Sequence, residues 1–261
     1  QDLLGRPNVS LDRKSLDRYM QSFCEQVHVL FPILHLPSLH VRYTDLFVRP
    51  SRDDDRAVTE PWLQVIYLYY VGAIEKAGRL LALTVSQLHC LGFTRQEVVG
   101  SLPVFKAEMH RRLWWCVYYL DRQLAIESEL PTVIQDTNVD LDRPLNLSDN
   151  WLSSYPSDTR TTSQLDFQVQ EELSKSASTP ISFLCALVRY AQTAGVVWKI
   201  LYRNCTGQQL SRPILIEYLE DIVTSAQRKS GTDAGNQLPL SIEHRALVRM
   251  VCFELSPVIQ R

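Results

Sequence analysis

The chain has 261 residues, 45% of them hydrophobic, and 27 basic side chains nearly balance 29 acidic ones for a net charge of −2. That length is enough to bury a substantial core, and the balanced charge gives no bulk attraction to nucleic acid or an anionic membrane. No apolar run approaches the roughly 20 residues needed to span a bilayer, and the start QDLLGRPNVS lacks the basic-then-apolar layout of a signal peptide, so a soluble protein or a soluble piece of one is expected.

Residues 15–31 place Leu16, Tyr19, Met20, Phe23, Val27, Leu30 and Phe31 at spacings of three and four, which predicts an amphipathic helix stopped by Pro32. After Pro37, Ser38 is the expected cap of a short helix through Phe47. The charged run RPSRDDDR from Arg49 reads as a surface loop. Residues 62–91 predict a long apolar helical stretch, broken near Gly72 and ended by Gly92. Residues 104–127 predict a central helix, and 131–180, rich in Pro, Ser, Thr, Asp and Asn, should be mostly extended or loop. A further strong helix is expected over 180–203, with Phe183, Leu187, Tyr190, Ala194, Val197, Trp198 and Leu201 on one side. Pro213 suits the first turn of a helix running to about Lys229, and 242–255 forms the last. No stretch alternates long enough to build a sheet, and no fixed-period repeat is present. The expected class is all-α, an irregular multi-helix domain with long loops, forming a single domain over 1–261 with its helical core at about 15–255.

Chemistry-bearing clusters are few. The six cysteines stand alone, with no zinc-knuckle or redox spacing. Cys24, Cys90, Cys116, Cys185 and Cys252 fall in apolar helical runs, so buried free thiols in a reducing, intracellular setting are expected. His28, His35 and His40 surround Pro37, which prevents the one-turn helical spacing that aims two imidazoles at one metal ion. Asp53, Asp54 and Asp55 lack the further carboxylate one turn on that a diphosphate–magnesium site needs; Ala57 and Val58 stand there. No nucleophile elbow and no clustered glycine cradle occur, so no enzyme is expected.

The densest segment is MHRRLWWCVYYLDRQLAIESELP over 109–131, followed by the acidic DTNVDLDRPL. On a helix, Leu113, Val117, Leu120 and Leu124 make one apolar stripe, flanked by Trp114, Tyr118 and Asp121. Asp121 among such neighbours must be wholly or partly buried, and so requires a cation or backbone amides. Arg111 and Arg112, one turn before the Trp pair, can stack on it or reach carboxylates elsewhere. The simpler reading of each is a core element whose polar groups lock the packing.

These residues resemble the central signature of the fungal-specific transcription factor domain, the regulatory "middle homology" region of fungal zinc-cluster transcription factors. In that family a helix of the form RRR(L/I)WW…Y.LDR precedes an extended "P..I.D.DIDV.LP" segment. Arg111, Arg112, Leu113, Trp114, Trp115, Tyr119, Asp121 and Arg122 fit the helix, and Pro131, Ile134, Asp136, Val139 and Asp140 fit the extended part. FCEQVHVLFPILHLPSLHVRY at 23–43 and AGRLLALTVSQLHCLGFTRQ at 77–96 are similar to two further blocks of the family. The family's DNA reader, six clustered cysteines around two zinc ions, is absent from this chain, so DNA contact and zinc are expected only of that missing unit and no cofactor of this one. The family also has more helical sequence where this chain carries only its charged stretch near 49–62.

The resemblance implies a nuclear, effector-responsive regulatory domain that controls transcription through a small-molecule effector or a coregulator protein, with self-association as a homodimer and no membrane partner. The alternative is a protein-interaction and dimerisation module without a ligand pocket. If a pocket exists, Trp114, Tyr118, Tyr190 and Trp198 are its candidate lining by residue type.

Overall fold

A computed structural model describes residues 13–48, 65, 72–155, 163–175 and 179–202. The expected loop at Asp53–Asp55 and the helices expected after Pro213 and over 242–255 lie outside these residues, as do Cys205 and Cys252.

The periodic run predicted as one helix over 15–31 divides in two. Helix α1 (Arg13–Ser22) passes into a single π turn over Phe23–Val27, closed by the His28 N–H on the Phe23 carbonyl at 2.8 Å. A π turn inserts one extra residue and rotates the side chains beyond it about the helix axis, and His28, which follows it, is 2% exposed. Helix α2 (Leu36–Val48) starts two residues before Ser38. The cap is His35, whose Nδ1 accepts the Ser38 N–H at 3.4 Å and bonds the Ser38 hydroxyl at 2.7 Å, while the Leu36 N–H goes to Asp149 Oδ2 at 2.8 Å. A local capping rule cannot see a carboxylate supplied from 113 residues away.

Gly72 is left-handed (φ 72°) and α3 (Ile74–Cys90) comes after it, while most of the expected apolar stretch before it lies outside the described residues. Gly92 (φ 75°) ends it with the Phe93 N–H on the Leu88 carbonyl and its own N–H on that of His89, both at 3.0 Å, the paired closure that favours glycine. The short α4 (Gln96–Gly100) leads to α5 (Val104–Ser128), started after Pro103 and ended by Glu129 in the left-handed region (φ 57°). Helix α5 is buried on almost every side between α3 and α8 (Pro180–Tyr202), so its core face is far wider than the predicted stripe. Four of its charged residues, Glu108, Arg112, Asp121 and Arg122, are interior.

After α5, residues 131–148 are extended apart from one 3-10 turn at Asp136–Asn138, in keeping with the turn-rich composition. The expectation of loop through 180 fails at α6 (Asp149–Ser153), capped by the Ser148 hydroxyl on the Trp151 N–H at 3.2 Å, and at α7 (Ser163–Ser174). Helix α7 buries Leu165 and Val169, one turn apart, and its abundant Ser and Gln mask that stripe in a composition-based reading. Helix α8 opens with proline at its first turn and buries Phe183, Leu187, Tyr190, Ala194, Val197 and Trp198. Its 20 residues Pro180–Lys199 are long and apolar enough by composition to cross a membrane, against the expectation of no such run; 78% of that stretch is buried in the fold, as a core helix requires. The described residues contain no strand, and the fold is all-α. Cys116 and Cys185 are buried free thiols as expected, whereas Cys24 is half-buried and Cys90, at the α3 terminus, is exposed.

Candidate functional site

Burying four charged side chains on one helix demands partners for each, because an unpaired charge in a low-dielectric interior costs several kcal/mol. The extended segment after α5, the first residue of α6 and α5 itself supply them, in two ionic anchors.

The first anchor is at the N-terminal half of α5. Arg112, with no exposed surface, donates from Nη1 to Asp149 Oδ1 at 2.6 Å and from Nη2 to the Leu147 carbonyl at 2.9 Å. Glu108 pairs with Arg111 and accepts the Leu145 N–H at 2.9 Å. Asp149 holds three elements at once, since its other oxygen caps α2 and its carbonyl accepts from His35 Nε2 at 3.0 Å. A carbonyl can only accept, so His35 carries its proton on Nε2 and leaves Nδ1 to cap α2. Burial alone would raise the Asp149 pKa, but Arg112 and the Leu36 N–H outweigh it and hold the carboxyl below the usual range.

The second anchor is further along the same helix. Asp121 accepts from Arg122 and from the Val133 and Ile134 N–H groups at 2.8 and 3.1 Å. Burial raises its carboxyl above the usual range, while Arg122 and the two amides pull against that. Arg122 also donates to Asp136 Oδ1 at 2.7 Å, and its guanidinium carbon lies 4.3 Å from the Tyr118 ring centroid. Tyr118 donates to the same Asp136 oxygen at 2.6 Å, and Lys199 of α8 pairs with the other. Burial would raise the Asp136 pKa, but hydrogen bonds from Lys199 and Tyr118, with Arg122, bring it below the usual range. Gly195 of α8 makes the approach possible: a Cβ there would stand 2.8 Å from Arg122 Nε.

The Trp pair divides its work. Trp115 Nε1 donates to the Asp142 carbonyl at 2.8 Å, whereas Trp114 is fully buried and meets His89 edge-on at 5.6 Å. The alternatives left open for the arginines thus resolve toward carboxylates for Arg111 and Arg112, with stacking performed by Arg122 on Tyr118. Trp198 Nε1 donates to the Leu130 carbonyl at 3.2 Å, and the Tyr190 ring lies 6.4 Å from Tyr119.

Two clefts flank the segment between α1 and α2. The larger, about 490 Å³, runs from His28 and Leu36 across Asp149 and Asn150 to Thr179 and Ile181. The smaller, about 280 Å³, lies on the other side of His35 against Phe93, Phe105, Met109 and His110. Trp114, Tyr118, Tyr190 and Trp198 line neither cleft. Nothing in the sequence singles out His28, Asp149 and Asn150 as pocket residues. The polar triplet Ser148–Asp149–Asn150, with its capping character, is the one legible signal there. Among the described residues, no group of three His, Cys, Asp or Glu side chains is placed to hold a metal ion.

A profile of the fungal specific transcription factor domain matches residues 62–229, well over half of the chain. Pyrimidine pathway regulatory protein 1 of Saccharomyces cerevisiae (strain ATCC 204508 / S288c) is 31% identical over 107 residues, covering 40% of this chain and 11% of that protein. The chain therefore spans only a small part of that relative's length. No solved structure is a match. With the matched region running through the buried Arg–Trp–Asp helix and both anchors that hold the extended segment to it, the chain belongs to the fungal specific transcription factor domain family.

Proposed function

We propose that this chain is the effector-responsive regulatory domain of a fungal zinc-cluster transcription factor, acting in the nucleus and without catalysis. Family membership supports a role in transcription regulation; the effector is our reading. The observation that carries it is the double duty of Asp149, which lines a cleft of about 490 Å³ and is also the counter-ion of the fully buried Arg112. That volume lies within the usual span of small-molecule sites, roughly 300–1,000 Å³. A ligand that prefers one position of the Asp149 wall shifts the packing of α2 and α6 against the central helix, and it shifts nothing unless it binds the two packings unequally. The relative's name makes it a pathway regulator, which accords with a metabolite as the effector here. Zinc and DNA contact belong to the cysteine-cluster unit that this chain lacks.

A second reading, a coregulator or homodimer interface, is favoured by the exposed Leu83 on α3, Leu91 in the turn after it and Val98 on α4. Thermal unfolding against a metabolite panel separates the two. A dose-dependent rise in melting temperature supports the effector reading. No shift with any compound, together with a concentration-dependent dimer in sedimentation, replaces it with the interface.

A further inference from the structure

Resting on the effector reading above, we infer that the larger cleft takes an uncharged, partly apolar small molecule whose hydrogen-bonding group is read by His28 and Asn150. The argument is an account of which polar groups on the wall are still available. Asp149 has both oxygens committed, to Arg112 and to the Leu36 N–H. The Ser148 hydroxyl caps α6. Thr179 Oγ1 donates to Asn146 at 2.6 Å and accepts the Ile181 N–H at 3.1 Å, which closes the N-terminus of α8. The His40 ring bonds the Leu36 carbonyl at 2.8 Å. The N-termini of α6 and α8 that border the cleft are therefore already capped from within the protein, and neither is left open to an anion.

What is left is His28, the Asn150 side chain, the second ring nitrogen of the exposed His40 and the O–H of Ser148, and of these only His28 is buried with an unpartnered nitrogen. His28 is 2% exposed, lies on the cleft wall, and its Nδ1 has no hydrogen-bond partner. A buried polar atom without a partner forfeits roughly 1–3 kcal/mol, and a ligand that satisfies such an atom recovers part of it. His28 is the residue that closes the π turn at Phe23–Val27. Burial, with Arg112 behind it and against the pull of Asp149, lowers the His28 pKa to about 4, so the ring is neutral at physiological pH. It then presents one donor and one acceptor, as a carboxamide does. Among the described residues, the one carboxylate on the wall is already paired with Arg112, and no lysine or arginine lines the cleft, so the wall offers no free charge to hold an ionised ligand. Pro32, Leu36, Pro37, Leu147 and Ile181 make the remaining surface apolar.

Benzamide and benzoate test this directly, because they match in size and shape and differ in charge. Each is titrated into the 261-residue chain carrying 15N-labelled histidine, with the His28 ring signals followed by NMR. Benzamide is expected to move those signals saturably, and benzoate to bind at least about tenfold more weakly, the worth of one charge-dependent contact. His28→Phe keeps an aromatic ring, removes both nitrogens and should weaken benzamide roughly five- to tenfold, the worth of one hydrogen bond. No protein hydrogen bond is lost with Nδ1, so any fall in its unfolding midpoint reports only the fit of the larger ring in a buried place. If His28→Phe does not fold, Asn150→Ala, at an exposed position, serves instead and should weaken benzamide by a similar factor. The inference is overturned by benzoate binding as well as benzamide, by benzamide binding that ignores both substitutions, or by His28 signals unmoved at saturating probe. Those results leave the effector reading standing if some metabolite still raises the melting temperature. That reading falls only with an unresponsive chain that dimerises.

Discussion

Arg122 shows what one buried side chain demands of its neighbours. Its guanidinium is held by two carboxylates, a carbonyl and an aromatic face, and the space for it exists because residue 195 has no side chain. Removing one partner leaves a charge in the interior, so Asp121→Ala should cost about 3–5 kcal/mol in urea unfolding; a loss under about 1 kcal/mol would show that the second anchor is dispensable. Gly195→Ala makes a sharper test. Alanine normally improves a helix interior by about 0.5–1 kcal/mol, but here its Cβ meets Arg122 Nε at 2.8 Å, and net destabilisation of roughly 1–2 kcal/mol is expected from the forced repacking. Gly78 in α3 has nothing within 4 Å of a built Cβ, and Gly78→Ala should stabilise. Opposite signs for the two alanines in the same denaturation assay are the expected result.

At the scale of elements, the chain between α5 and α6 is fastened to the central helix at both ends, by Asp121–Arg122 near 133–136 and by Arg112 near 147–149. Asp149 also caps α2, so its loss should loosen α2 and α6 together. A double-mutant cycle between Arg112→Met and Asp149→Asn should return a coupling of about 0.5–3 kcal/mol, and additive single effects would refute the anchor. Asp149 brings a pH dependence whose sign is set by its lowered pKa. A depressed carboxyl contributes stability that is present above the unfolded pKa of about 3.9 and is lost as pH falls through the lower folded value. The stability gap between the natural chain and Asp149→Asn should therefore be constant from about pH 7 to 5 and close below about pH 4. A gap that widens on acidification would mean that Asp149 is not held ionised by Arg112.

Over the described residues, a three-helix core of α3, α5 and α8 carries a mantle made of α2, α6 and the extended segment, and the clefts lie where the mantle meets the core. Ligand binding should consequently stabilise by mass action, about 2.7 kcal/mol at a hundredfold excess over Kd. For a chain of this size, each kcal/mol moves the melting temperature by roughly 2–4 °C. A shift of several degrees that disappears when α2 is uncapped by Asp149→Asn would tie the effector to this mantle; a shift unchanged in that variant would place it elsewhere.

Much of the architecture is legible along the chain. The apolar spacing of 180–202 and of Leu113, Val117, Leu120 and Leu124, the left-handed glycine at 92 and the need of Asp121 for a cation or amides are all local, because helix periodicity and backbone conformation depend on residues within a few turns. The order of the Arg–Arg–Trp–Trp, Asp–Arg and proline blocks is sufficient for the family. The partners are not legible. Asp149 reaches Arg112 across 37 positions and Leu36 across 113, and no spacing rule spans such distances. The cleft escapes for the same reason. Its walls come from separate stretches of the chain, and its unpaired histidine is polar in an apolar run, which in one dimension looks like any core or surface residue. Residue type alone points to Trp114, Tyr118, Tyr190 and Trp198 as pocket candidates; all four are buried, on the central helix and on α8, and none lines either of the two clefts. Secondary structure comes from near neighbours, whereas a site is a property of which surfaces meet, and that is settled by burying several charged groups at once.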